Sequence, residues 1–123
     1  MRIGIVGSRR RDTPDDFKAV RSAFEEHLFV ADTVTIISGG CPKGGDRFAE
    51  KLADECGVSI VIFYADWEKH GRVAGFIRNT DIAEQSDFLI ACVASDRTGG
   101  TEDTIKKFKK FHPEDWSRRL TLV

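Results

Sequence analysis

Arg2-Ile3-Gly4-Ile5-Val6-Gly7-Ser8-Arg9 opens the chain as a short apolar run that ends in a glycine, a hydroxyl and an arginine. A run of that length and composition reads as a strand buried on both faces, as parallel strands are. Beyond it, Pro14 with Asp15 and Asp16 marks a helix start, because proline and acidic residues suit the positive end of a helix. Phe17, Val20, Phe24 and Leu28 then recur at helical spacing and form one apolar stripe.

The same order of strand, glycine turn and helix returns further along. Residues 33–37 are β-branched and short, and the turn Ser38-Gly39-Gly40-Cys41-Pro42-Lys43-Gly44-Gly45-Asp46 follows them. Phe48, Ala49, Leu52, Ala53 and Cys56 mark the second helix, which Gly57 stops. Residues 58–63 and 88–93 read as the third and fourth strands, and residues 76–85 as a helix with a thin apolar stripe. After Gly99-Gly100-Thr101, residues 101–111 form a helix with Ile105, Phe108 and Phe111 on one side, and residues 120–123 supply an edge strand. Residues 64–75 show no period and read as the longest irregular stretch.

Alternating strands and helices call for a parallel sheet covered on both faces. The expectation is one Rossmann-like domain over residues 1–123, a three-layer α/β/α sandwich with a mostly parallel five-stranded sheet in the order 3-2-1-4-5. In that order the direction of winding reverses between strands one and four, and ligands bind at the carboxyl ends of the strands beside such a point. Gly7-Ser8-Arg9 and Gly99-Gly100-Thr101 would face each other there. Glycine turns leading into helices direct backbone N–H groups and a positive helix end toward a phosphate.

Bulk composition narrows the function. The residues are 41% hydrophobic and 32% charged, which is a globular balance. A net charge of −1 gives no general attraction to nucleic acid or to an anionic membrane. No apolar stretch approaches the roughly 20 residues of a membrane span, and the first strand is too short for a signal peptide. Cys41, Cys56 and Cys92 lack C-x-x-C spacing, so neither a metal site nor a disulfide framework is expected, and no cofactor is. Cys41 lies in the second glycine-rich turn near a helix start, but with no histidine at a suggestive position it reads as inert or merely exposed. Unpaired thiols place the chain in a reducing cytoplasm.

Candidate binding residues gather in the turns. Gly7, Ser8 and Arg9 offer close approach, a hydroxyl and a guanidinium able to grip a phosphate; alternatively they form a plain loop with solvated arginines. Gly39, Gly40, Gly44 and Gly45 fall within seven positions, a density that asks for unusual backbone or close contact. Asp46 either caps free N–H groups of its helix or accepts from a ribose hydroxyl. Asp66 and Trp67 open the stretch after strand three; Trp67 either stacks on a base or packs over the sheet edge, and His70 reads as a surface histidine. Arg78 and Asn79 place a planar guanidinium at the start of a helix.

Taken together, Gly7-Ser8-Arg9, Ser38-Gly39-Gly40, Gly44-Gly45-Asp46, Ala65-Asp66-Trp67, Gly71-Arg72, Ala74-Gly75, Ile77-Arg78-Asn79, Ser86-Asp87 and Gly100-Thr101 resemble the YspA-like branch of the SLOG superfamily. The resemblance runs from residue 3 to about residue 111. It implies a Rossmann-like fold that binds a nucleotide or nucleotide-derived ligand as a sensor or effector. The superfamily includes the Lonely Guy phosphoribohydrolases, which split the N-glycosidic bond of nucleoside 5′-monophosphates, and the DNA-processing protein DprA. Arg78 resembles the arginine of the Lonely Guy enzymes, and Gly99-Gly100-Thr101 their phosphate turn in shortened form. Their glutamate, however, falls at Thr104, which cannot supply a negative charge to an oxocarbenium-like centre.

Three expectations follow. The leading one is a binding domain for a nucleotide-like ligand, the phosphate held by the glycine turns, Arg9, Arg78 and Thr101. The second is a nucleotide N-glycosidase using Arg78 with Glu102, Asp46 or Asp66. The third, single-stranded DNA binding through Arg78-Asn79 in the manner of DprA, meets balanced charge and few stacking aromatics. Related folds often dimerise through helices, and the phenylalanine-bearing helix at residues 101–111 serves either the core or a homodimer interface.

Overall fold

The computed structural model describes residues 1–123. Five parallel strands, β1 (Arg2–Gly7), β2 (Thr35–Ser38), β3 (Ser59–Ile62), β4 (Phe88–Cys92) and β5 (Leu120–Leu122), pair in the order β3-β2-β1-β4-β5. This is the expected Rossmann-like order. β1 is central: Gly4 pairs with Ile37 on one side and Leu89 on the other, and Gly7 reaches Cys92.

Because alternate strand residues face opposite ways, two cores form. On one face Ile3, Ile5, Ile36 and Ile90 pack against Phe17, Val20 and Phe24 of α1 (Pro14–Leu28) and Phe48 and Leu52 of α2 (Gly45–Cys56). On the other, Val6, Ile37, Leu89 and Ala91 meet the helix Ala74–Gln85 through Ile82 and Ala83, and the helix Gly100–Phe111 through Ile105 and Phe108. No helix is long and apolar enough to cross a membrane.

Local signals set the helix ends. Thr13 accepts from Asp16 N while Asp16 Oδ2 accepts from Thr13 N, a reciprocal capping box that starts α1. Gly57 ends α2 in the left-handed region at φ 63°.

Residues 64–75 depart from the expected irregular loop. They hold a one-turn helix α3 (Trp67–His70) and a 3-10 turn (Gly71–Val73) that runs into α4 (Ala74–Gln85), two residues earlier than periodicity indicated. Asp66 nucleates this segment by accepting from Lys69 N at 3.1 Å. One turn is too short for a periodic signal, and its cap is a single aspartate within a loop. After α5 (Gly100–Phe111), a further single turn, α6 (Trp116–Arg119), leads into β5, with Arg119 bound to Asp115 at 2.7 Å.

Candidate functional site

A cleft of about 310 Å³ opens at the carboxyl ends of β1 and β4. Its wall is built from the three glycine turns and from α4. The first turn brings Gly7, Ser8, Arg9 and Arg10; the second brings Cys41 and Asp46; the third brings Thr98, Gly99, Gly100 and Thr101; α4 adds Arg78 and Asn79.

Close backbone approach explains the glycines between the first two turns. A β-carbon on Gly45 would overlap the Gly7 nitrogen and the Val6 carbonyl, so only glycine lets α2 begin against the end of β1. Gly44, at φ 71°, lies against the Ser8 carbonyl.

The third turn leaves the start of α5 open. Its N-cap is Gly99, at φ 108°, and no side chain caps the first turn. The Glu102 amide turns back to the Gly99 carbonyl at 3.2 Å, while those of Gly100 and Thr101 retain their donor capacity, and the positive end of α5 faces the cleft wall at these two residues. Asn79, buried, binds the Gly100 carbonyl at 3.3 Å and Asp103 Oδ2 at 3.1 Å, which ties α5 to α4.

Arginines divide the labour. Arg10 makes a two-pronged pair with Asp96 at 2.7 Å for both contacts, and also reaches Thr98 Oγ1 at 3.1 Å. It fastens the first turn to the third, and its guanidinium holds the Asp96 carboxyl well below the usual carboxylate range. Arg78 donates to the Gly39 carbonyl at 2.8 Å and to Asn79 Oδ1 at 3.1 Å. Arg9 is exposed on the rim and makes neither an ion pair nor a side-chain hydrogen bond.

Asp46 is the acidic group in the wall. It does not cap its own helix; it lies in the first turn and accepts from Cys41 N at 3.0 Å in the preceding loop. Burial pushes its carboxyl upward, opposed by the Cys41 amide and the Arg78 charge. Ser38 Oγ lies close enough to favour the charged form slightly, yet is the one buried side-chain polar atom without a hydrogen bond of normal geometry.

The remaining candidates lie off the wall. Gly39 and Gly40 support it from behind: Gly39 offers its carbonyl to Arg78, and Gly40 packs against Tyr64. Gly44 spends its amide on Asp12 Oδ1 at 2.8 Å, which in turn holds Arg47. Asp66 caps α3, and Trp67 stands on the surface. Glu102 is drawn outward by a two-pronged pair with Arg97 at 2.8 and 2.9 Å and does not line the cleft. Thr104 does line it, buried, its hydroxyl 3.4 Å from the Gly100 carbonyl.

Arg10 and Thr98 were not singled out from sequence. Thr98 adjoins the glycine pair and was available as part of that turn. Arg10 had no local signal, since its partner Asp96 is 86 positions away.

An all-parallel sheet of this order, with a cleft where its winding reverses, defines a Rossmann-like α/β protein. Residues 1–70 match the model of the YspA, cpYpsA-related SLOG family, and the chain belongs to that family. Neither a curated protein nor a solved structure matched. The matched segment carries the first two glycine turns; Arg78, Asn79 and the third turn lie beyond it.

Proposed function

We propose that the cleft binds a nucleotide or nucleotide-derived small molecule, as a sensor or effector. The phosphate lies against Gly99, Gly100, Thr101, Ser8 and Arg9, and the sugar toward Asp46. What carries this reading is convergence: an uncapped helix start, an unpaired arginine and the Arg78 guanidinium border one cleft. Membership of the SLOG family is consistent with nucleotide-related ligands in general. The volume falls at the lower end of the range for small-molecule sites.

A melting-temperature screen tests it. Ribose 5-phosphate, nucleoside monophosphates and ADP-ribose-like or cyclic species should raise the midpoint, because a ligand that binds only the folded state stabilises it. Arg78→Ala should abolish the rise. A full panel giving no rise at millimolar concentration would sink the proposal.

A second reading, hydrolysis of a nucleotide N-glycosidic bond, rests on Asp46 alone, because Glu102 faces Arg97 and Thr104 occupies the position of the enzymes' glutamate. In that case Asp46 would stabilise the positive charge developing on the sugar as the base departs and water adds. Release of free base from nucleoside monophosphates, stopped by Asp46→Asn, is the expected result; no release from any of them leaves binding without turnover.

A further inference from the structure

Two aromatic rings beside the cleft are left bare by the fold. Tyr64 is 71% exposed and Trp67 56%, whereas Phe24, Phe48 and Phe108 are fully buried. Burial accounts for neither ring. Both border the strip of chain that carries the Arg78 guanidinium. A β-carbon on Gly75 would lie 3.3 Å from Trp67 Cη2 and 4.0 Å from Arg78 Nη2. One on Gly39 would lie 2.8 Å from Arg78 Nη1 and 2.9 Å from Asp46 Oδ2, and one on the adjacent Gly40 would lie 2.6 Å from Tyr64 Cε1. Arg78 therefore lines the cleft and, with Trp67, flanks Gly75.

Trp67 is held in place. It is the first residue of α3, fixed by the Asp66 cap, whose Oδ1 takes Lys69 N. The second Asp66 oxygen remains available to accept from a ribose hydroxyl or an exocyclic amine. A planar guanidinium and two flat rings, with an acceptor beside them, form a surface suited to an aromatic ring that carries hydrogen-bond donors.

We propose that Trp67 and Tyr64 form a base-stacking shelf joined to the anion cleft through Arg78, so that the ligand is a purine nucleotide with its ring on the shelf. This rests on the cleft holding the phosphate, as proposed above, and adds the identity of the group at the other end. Inorganic phosphate and ribose 5-phosphate fill only the cleft; AMP fills both.

The chain has two tryptophans, so Trp116→Phe leaves Trp67 as the sole indole reporter. In that background, titration with AMP should quench Trp67 emission, and AMP should bind at least about tenfold more tightly than ribose 5-phosphate. Trp67→Leu should collapse that preference and Tyr64→Leu should reduce it, both read by calorimetry. Both rings are exposed, so the unfolding midpoint in urea serves to confirm that the variants fold. Equal affinity for AMP and ribose 5-phosphate, with both lost in Arg78→Ala, would overturn the shelf and leave the cleft standing. A preference for AMP that survives both leucine variants would place the base elsewhere and overturn it too. Binding of neither probe would overturn cleft and shelf together.

Discussion

Asp46 combines two roles that pull its charge in opposite directions. Burial raises its carboxyl, while the Cys41 amide and Arg78 favour the anion. The native state therefore holds this proton more tightly than the unfolded chain does. Its contribution to stability is full below the ordinary value of 3.8 and is lost as pH rises through the raised value. Asp46→Asn keeps an oxygen for the Cys41 amide but removes the titration. Urea unfolding of both chains across a pH series should show the asparagine variant gaining on the parent as pH climbs from below 4, then levelling. Asp12, Asp16, Asp96 and Asp115, whose carboxyls are all lowered, cancel in that comparison. A difference that is flat, or that runs the other way, would refute the buried-carboxylate account. The sequence placed Asp46 in a helix's first turn, where capping its own amides is the commoner role. Only the loop folding back over it turned the acceptor toward Cys41.

The helices start in two different ways. α1 closes on itself through Thr13 and Asp16, whereas α2 and α5 begin at Gly44 and Gly99 with no side-chain cap. The start of α5 borders the cleft, where Gly99 adopts φ 108°, whereas at α2 glycine permits close approach, with Gly45 against the backbone of Val6 and Gly7. Gly45→Ala should cost about 1–3 kcal/mol in urea unfolding, because the new methyl meets Val6 and Gly7 backbone rather than a side chain that can move aside. A loss near zero would mean that α2 can shift outward freely. Glycine spacing made these turns visible in the sequence. The one-turn helix at Trp67–His70 was not visible, since a single turn has no period and its cap, Asp66, looks like any loop aspartate.

The molecule is held together by two apolar layers, one on each face of the sheet. Phe48 anchors the layer under α1 and α2, and Phe108 the layer under α4 and α5; both are fully buried. Truncating either to alanine should cost about 3–5 kcal/mol, read as a lowered unfolding midpoint. The two sites lie on opposite sides of the sheet, so their costs should add. Their sum of about 6–10 kcal/mol approaches a typical total of roughly 5–15 kcal/mol, so the double variant should have by far the lowest unfolding midpoint. A double variant no weaker than either single one would show that the layers are not independent.

Strand order and layering were legible in the chain itself, because apolar runs, helical stripes and glycine stops are local and periodic. β-branched runs such as residues 33–37 cannot stand alone in water, and the alternation with helices left a parallel sheet as the way to bury them. Contacts between distant segments followed no such rule. Arg10 with Asp96, Glu102 turned outward to Arg97, and Arg78 set between the Asp46 side of the cleft and Trp67 all depend on where the sheet brings separate turns together. Periodicity reports which side of an element is buried; a guanidinium's partner is fixed only when its neighbours in space arrive.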